Sequence, residues 1–156
     1  MRVRVIAVGT RMPSWVRAGT GEYLKRLDGK LRVALTEIPP GQRTAAASPD
    51  KAVAAEGTRL LAAVADQHYV VALDERGREL TTRELAALLD ERMRDGRDLA
   101  FLLGGADGFA PAVRARADFV WSLSRLTLPH GLVRVVLAEQ LYRAHTILCN
   151  HPYHRE

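Results

Sequence analysis

Two stretches near the C-terminus carry side chains whose types and spacing suit chemistry. Trp121-Ser122-Leu123-Ser124-Arg125-Leu126-Thr127-Leu128-Pro129-His130 is rich in hydroxyls. Ser and Thr bond backbone groups in loops, and Pro129 fixes φ just ahead of a helix, so the segment is suited to cradling a ligand. The tail Asn150-His151-Pro152-Tyr153-His154-Arg155-Glu156 packs two His, a Tyr and an Arg into a few positions. Such groups move protons near neutral pH and hold anions, and they offer little to a hydrophobic core. The loop reads as a cofactor site and the tail as a reaction centre. Cys149, His151, His154 and, one helical turn earlier, His145 are also potential metal ligands. Structural zinc prefers four ligands in paired spacings, and Pro152 stiffens the segment that would wrap the ion, so no metal is expected. His68 and His130 sit at element boundaries and read as structural histidines with backbone partners. Glu139 and Arg143 have the favourable i, i+4 order for a surface pair, although Arg143 is also placed to face a phosphate.

These groups need a frame, and the hydropathy pattern supplies one. Arg2 to Val8 alternates as a strand before Gly9-Thr10, and Pro13-Ser14 opens a helix through Leu27. Val33 to Ile38 is a second strand closed by Pro39-Pro40-Gly41, followed by a polar, exposed loop to Ala47. Ser48-Pro49 supplies an N-cap and N1 pair for a helix to about Ala65. His68 to Asp74 is a short apolar run ending in polar turn residues, as expected of a central parallel strand. Thr81 and Glu84 have capping-box spacing, and Asp95-Gly96 ends that helix. Leu99 to Leu103 is a buried strand running into Gly104-Gly105-Ala106-Asp107-Gly108, then a short helix from Pro111 and a strand from Phe119 to Ser122. Strands alternate with helices throughout, so the expected class is α/β, a mostly parallel sheet with helices on both faces.

The glycine turn matches neither the dinucleotide fingerprint nor a P-loop. It is a turn at a strand end where missing Cβ atoms let a ligand approach the backbone. Leu73-Asp74 and the Ser/Thr loop occupy comparable strand ends, so three ends converge. The last helix, Gly131 to Leu148, is broader in apolar character than one sheet face requires: Val133, Leu137, Leu141, Ala144 and Leu148 form a stripe that Leu132, Val135, Val136 and Ile147 widen. A two-fold dimer would bury the second side, and wrapping by the chain itself is the alternative.

At 156 residues and 47% apolar composition the chain suits one globular domain spanning residues 1–156. No apolar run approaches the ~20 residues that span a bilayer, and the N-terminus lacks the features of a signal peptide. A cytoplasmic protein without a membrane partner is expected, and the lone Cys149 allows no internal disulfide. The formal charge of +5, carried almost wholly by Arg because Lys occurs only at Lys25, Lys30 and Lys51, favours an anionic partner, nucleic acid first. A genome preferring Arg codons would give the same composition.

The residues Val5-Ile6-Ala7-Val8-Gly9-Thr10, Leu73-Asp74, Leu103-Gly104-Gly105-Ala106-Asp107-Gly108, Trp121-Ser122-Leu123-Ser124, Thr127-Leu128-Pro129-His130-Gly131-Leu132-Val133-Arg134, Glu139-Gln140-Leu141-Tyr142-Arg143-Ala144 and Pro152-Tyr153-His154-Arg155 resemble the RlmH family, bacterial SPOUT-class methyltransferases that modify a pseudouridine in 23S ribosomal RNA. The resemblance implies a homodimer with a C-terminal trefoil knot, which sequence reading would not propose because true knots are essentially absent from ordinary folds. It implies S-adenosylmethionine as methyl donor, held by Leu73, Gly104 and the loop Leu123, Ser124, Arg125, Leu126, Thr127 and Leu128. The implied reaction is methylation of N3 of the pseudouridine, on the assembled ribosome, with Tyr153, His154 and Arg155 at the reaction centre and Arg143 as a further electrostatic candidate. His154 would accept the N3 proton. The chain departs from the family in carrying Ala106-Asp107 where relatives often have Pro-Glu, and Arg125 adds a charge to the cofactor loop. Two other classes make distinct predictions: a non-catalytic ribosome- or RNA-binding protein would yield no methylated product, and a metal-dependent RNA hydrolase would require bound zinc.

Overall fold

A computed structural model describes residues 1–27 and 29–155; Glu156, the last residue of the tail, lies outside them. Among the described residues five strands alternate with five helices: β1 (Arg2–Val8), α1 (Ser14–Leu24), β2 (Arg32–Ile38), α2 (Asp50–Ala62), β3 (Tyr69–Glu79), α3 (Thr82–Arg94), β4 (Leu99–Leu103), α4 (Pro111–Arg116), β5 (Phe119–Ser122) and α5 (His130–Leu148). The sheet order is β2-β1-β4-β3-β5, and each neighbouring pair is parallel.

Because side chains alternate across a strand, each inner strand feeds two cores. Val3, Val5, Leu99, Phe101 and Val71 face Leu85 and Leu89 of α3 and Leu137 and Leu141 of α5. Ile6, Val8, Ala100, Leu102, Val70 and Ala72 face Leu60 of α2 and Val113 of α4. Helices therefore cover both faces, and β4 is buried at all five positions. The Thr81/Glu84 box forms: the Thr81 hydroxyl accepts from the Glu84 amide at 3.2 Å, and the Glu84 carboxylate accepts from the Thr81 amide at 2.7 Å.

Two sequence expectations change. α2 begins at Asp50 with Pro49 in the cap position and ends at Ala62; the Ser48 hydroxyl accepts from the Asp50 amide at a long 3.4 Å. The polar loop after β2 is exposed from Gln42 to Ala47 as expected, and it is anchored where buried Gly41 precedes it and Arg43 reaches both Glu56 and Asp107. β3 does not end at Asp74. Its pairing with β5 breaks after Leu73↔Trp121 and resumes at Arg78↔Trp121 and Glu79↔Ser122, which makes residues 74 to 77 a bulge. Polar composition hid this extension, whose backbone partners come from the edge strand β5. At Gly77 a Cβ would stand 2.6 Å from the Val120 carbonyl oxygen, so the strands meet there only through glycine.

α5 lies between α1 and α3. A Cβ at Gly19 would sit 3.2 Å from Val135. Part of the apolar excess of α5 is thus met within the chain. Arg134 on α5 is 3% exposed and spans three segments, donating to Glu37 Oε2 at 2.6 Å, to the Val8 carbonyl at 3.2 Å and to the Gly9 carbonyl at 2.7 Å. This clamp ties the start of α5 to the C-terminal ends of β1 and β2.

Candidate active site

A pocket of about 390 Å³ opens at the C-terminal edge of β3, β4 and β5, where ligands bind in open α/β sheets. Its walls are the bulge Leu73 to Arg76, the turn from Leu103 to Phe109, Arg114, Trp121, and residues of the loop and first turn of α5 through Val133. Of the eight cofactor residues expected from sequence, Leu73, Gly104, Leu123, Ser124, Leu126, Thr127 and Leu128 line it. Arg125 is exposed and is not among the lining residues.

The loop owes its shape to the hydroxyls that drew attention to it. Ser122 Oγ donates to the Ser124 carbonyl at 2.7 Å, and Ser124 Oγ accepts from the Leu126 amide at 3.0 Å. Thr127 then donates to Glu75 Oε2 at 2.8 Å, which pins the loop to the β3 bulge. On the same bulge, Asp74 Oδ1 accepts from the Arg76 amide at 2.9 Å and Oδ2 from Arg114 at 2.7 and 3.1 Å. Burial pushes the Asp74 carboxyl up, but the Arg76 amide and the Arg114 guanidinium outweigh it and hold the group below the usual carboxylate range.

The pocket fits S-adenosylmethionine on its own terms. Leu73, Leu103, Leu123, Leu128 and Val133 offer apolar surface to a purine, Asp74, Glu75 and Asp107 bring carboxylates suited to ribose hydroxyls and a positive sulfonium, and the volume falls in the range of small-molecule sites. Gly104 keeps the turn tight, since a Cβ there would stand 3.1 Å from the Gly108 carbonyl oxygen.

The tail is elsewhere. Asn150 takes φ of 54°, the chain reverses, and the His151 amide donates to the Thr146 carbonyl at 2.9 Å. Tyr153 then lies along α5: its ring is 4.7 Å from that of Tyr142, Arg143 stacks over it at 4.7 Å, and its hydroxyl donates to Glu139 Oε1 at 3.2 Å. Burial, with Glu139 and Tyr23 close by, pushes the Tyr153 phenol up to about 12. Arg143 is engaged by Glu139 through Nε at 2.7 Å and Nη2 at 2.6 Å, and its pKa is raised by that carboxylate. Both ring nitrogens of His154 are buried, whereas Arg155 is exposed. None of Arg143, Tyr153, His154 and Arg155 lines the pocket of its own chain.

His68 bears out its structural reading: buried, with Nδ1 accepting from the Ala65 amide at 3.1 Å, and with its pKa lowered by burial and by Arg4. His130 does not. It is exposed at the head of α5 and lines the pocket. Cys149 contacts His145 at 3.6 Å, and among the described residues no group of three or more His, Cys, Asp or Glu is gathered as a metal site requires. No helix among them is long and apolar enough to cross a membrane.

A family described as "Predicted SPOUT methyltransferase" matches residues 1–154. The chain belongs to the SPOUT methyltransferase family. Among relatives, it is 52% identical over 155 residues to a Burkholderia mallei protein named "Ribosomal RNA large subunit methyltransferase H", with 99% of both chains covered. The solved structures of a Bordetella pertussis protein named "Probable Methyltransferase" (TM-score 0.59, 19% identity, 92% of this chain and 93% of that one) and a Neisseria gonorrhoeae protein named "putative methylase family protein" (TM-score 0.57, 14% identity, 99% and 86%) share its fold.

Proposed function

We propose that this chain methylates N3 of a pseudouridine in 23S ribosomal RNA on the assembled ribosome, in the cytoplasm, with S-adenosylmethionine as donor. The observation that carries the reading is the end-to-end 52% identity to a protein named for methylation of large-subunit ribosomal RNA, together with a pocket walled by Leu73, Gly104 and the loop beyond β5. In this reading residues 1–156 form one methyltransferase domain, the loop from Leu123 to Leu128 belongs to a trefoil knot, and two copies form a homodimer.

S-adenosylmethionine, when bound, supplies an activated methyl group. The chain supplies alignment and proton handling. Leu73, Leu103 and Leu128 would give the purine apolar surface, and Glu75 with Thr127 sets the edge of the pocket. N3 of the neutral base must shed its hydrogen before its lone pair is available. His154 accepts that proton as general base through an imidazole nitrogen. Arg155 faces the flanking carbonyl oxygens as negative charge develops, and Tyr153 positions the base by stacking or hydrogen bonding.

The tail lies on its own α5 rather than at its own pocket, which supports a site shared between subunits, the tail of one copy completing the pocket of the other. Exposed Trp15 and Leu126, at 57% and 72%, are apolar surface that a second copy could cover. The test is transfer of labelled methyl to ribosomes lacking the modification, with free 23S RNA alongside and the product nucleoside identified. N3-methylpseudouridine on ribosomes is the expected product, and no transfer to either RNA overturns the reading. Mixing a tail-deleted subunit with a cofactor-loop variant restores activity if the site is shared.

A further inference from the structure

A second pocket of about 530 Å³ lies beside the first along the same sheet edge. Gly105, Ala106 and His130 line both, so the two pockets meet at the turn after β4 and the head of α5. Arg11, Arg43 and Glu56 also line the second pocket. Glu56, on α2, is 2% exposed. Its Oε1 is engaged, with Arg43 Nη1 at 2.7 Å and the Gly41 amide donating at 3.3 Å. Its Oε2 is buried with no hydrogen-bond partner among the described residues, and it faces Gly105, where a Cβ would stand 3.4 Å away. A buried carboxylate oxygen without a protein donor is costly, and a ligand that donates to it relieves that cost. Arg43, held also by Asp107 at 2.8 Å, fixes the carboxylate in this pose.

We propose that the second pocket takes the acceptor nucleotide and that Glu56 Oε2 accepts a hydrogen bond from the N1–H of pseudouridine. The inference rests on the methyltransferase reading above and adds the residue that recognises the base. In-line transfer requires the acceptor nitrogen against the donor methyl, and the residues common to both pockets, Gly105, Ala106 and His130, mark where the two sites adjoin. Pseudouridine is joined to its ribose through carbon, so N1 keeps a hydrogen; uridine, oriented with the same N3 toward the donor, presents C5–H in its place. A carboxylate facing C5–H gains no hydrogen bond for the desolvation it imposes, so the contact discriminates between the two bases. Arg11, exposed at the rim, is suited to the nucleotide's phosphate.

The test uses ribosomes lacking the methyl group and carrying either pseudouridine or uridine at the target position. The wild-type protein should favour pseudouridine in kcat/KM by roughly tenfold or more, as expected of a hydrogen bond to a charged group. In Glu56→Gln, Arg43 retains the side-chain oxygen and the amide nitrogen turns a donor toward N1–H, so the ratio should fall toward one. Equal losses on both substrates with the ratio intact would mean that Glu56 is merely structural, and would overturn the inference alone. No methylation of pseudouridine ribosomes by the wild-type protein would remove the proposed function and the inference with it. Should Glu56→Gln fail to fold, NMR titration of the wild-type protein with pseudouridine 5′-monophosphate and its N1-methyl derivative decides: roughly tenfold weaker binding of the derivative supports the contact, and equal binding overturns it.

Discussion

The pocket and the tail are built in opposite ways. The pocket gathers residues from 73 to 133 that are scattered over three strand ends, a bulge and a helix start, and its polar groups are cross-braced: Thr127 to Glu75, Asp74 to Arg114, and Ser124 to its own loop. The tail is a contiguous run whose chemistry is evident in the sequence, yet it rests on α5 in a stack of Tyr153, Tyr142 and Tyr23 with Arg143 and Arg26. Convergence of strand ends locates a preorganised site, whereas density of reactive side chains identifies groups without saying where they act. If the pocket holds the methyl donor as proposed, its cross-bracing favours transfer by fixing polar groups in advance.

His154→Ala tests this contrast most severely. If the tail is the reaction centre, turnover falls about 10²–10⁴-fold, the usual worth of a positioned general base, while calorimetry shows cofactor binding largely kept. Equal loss of both would make His154 part of the scaffold and erase the division between the two regions. Arg134→Met attacks the pocket side instead. It leaves the Val8 and Gly9 carbonyls and Glu37 without their donor and should cost about 3 kcal/mol in urea unfolding. That figure allows for Glu37 being a third exposed. A loss confined to catalysis, with stability unchanged, would mean that the clamp does not hold the sheet edge together.

Much of this architecture is legible in the sequence, for identifiable reasons. Leu99 to Leu103 is buried on both faces, so it reads as an unbroken apolar run, and Thr81/Glu84 announces a helix start by chemistry that operates within four residues. Legibility failed where the deciding partner is distant. Glu56 looks like any acidic residue on a helix surface, because its partners Gly41 and Arg43 lie in a loop of polar composition and Gly105 lies on another strand end. The β3 extension is polar because it borders a pocket rather than a core. His130 reads as a boundary histidine because sequence cannot show that two pockets meet at the head of α5.

Asp74→Asn sharpens the pocket side on a smaller scale. The amide keeps an acceptor for Arg76 but removes the charge facing Arg114, and the expected loss is about 1.5 kcal/mol, at the low end for a charged hydrogen bond because Arg114 is partly exposed. The folded-state pKa of Asp74 is depressed, so its contribution is complete above the unfolded carboxylate pKa and is lost as pH falls through the folded value. Stability curves of wild-type and variant protein should therefore converge in acid and separate as pH rises above that window. Parallel curves would show that Asp74 carries no linked proton.

Tyr153→Phe is the gentlest test and bears on whether the tail rests on α5 at all. It removes the hydroxyl that donates to Glu139 at 3.2 Å while keeping the ring under Arg143, so the expected cost is about 1 kcal/mol or less at neutral pH. The sign of the pH dependence is opposite to that of Asp74. Folding raises the phenol from 10.0 to about 12, so the protonated hydroxyl contributes fully below pH 10.0 and its contribution fades as pH climbs toward 12. The difference in stability between wild-type and variant should accordingly shrink across that alkaline window. If the two proteins unfold identically at neutral pH, the tail is not held on its own helix in solution, and the resting contact that separates it from the pocket would have to be abandoned.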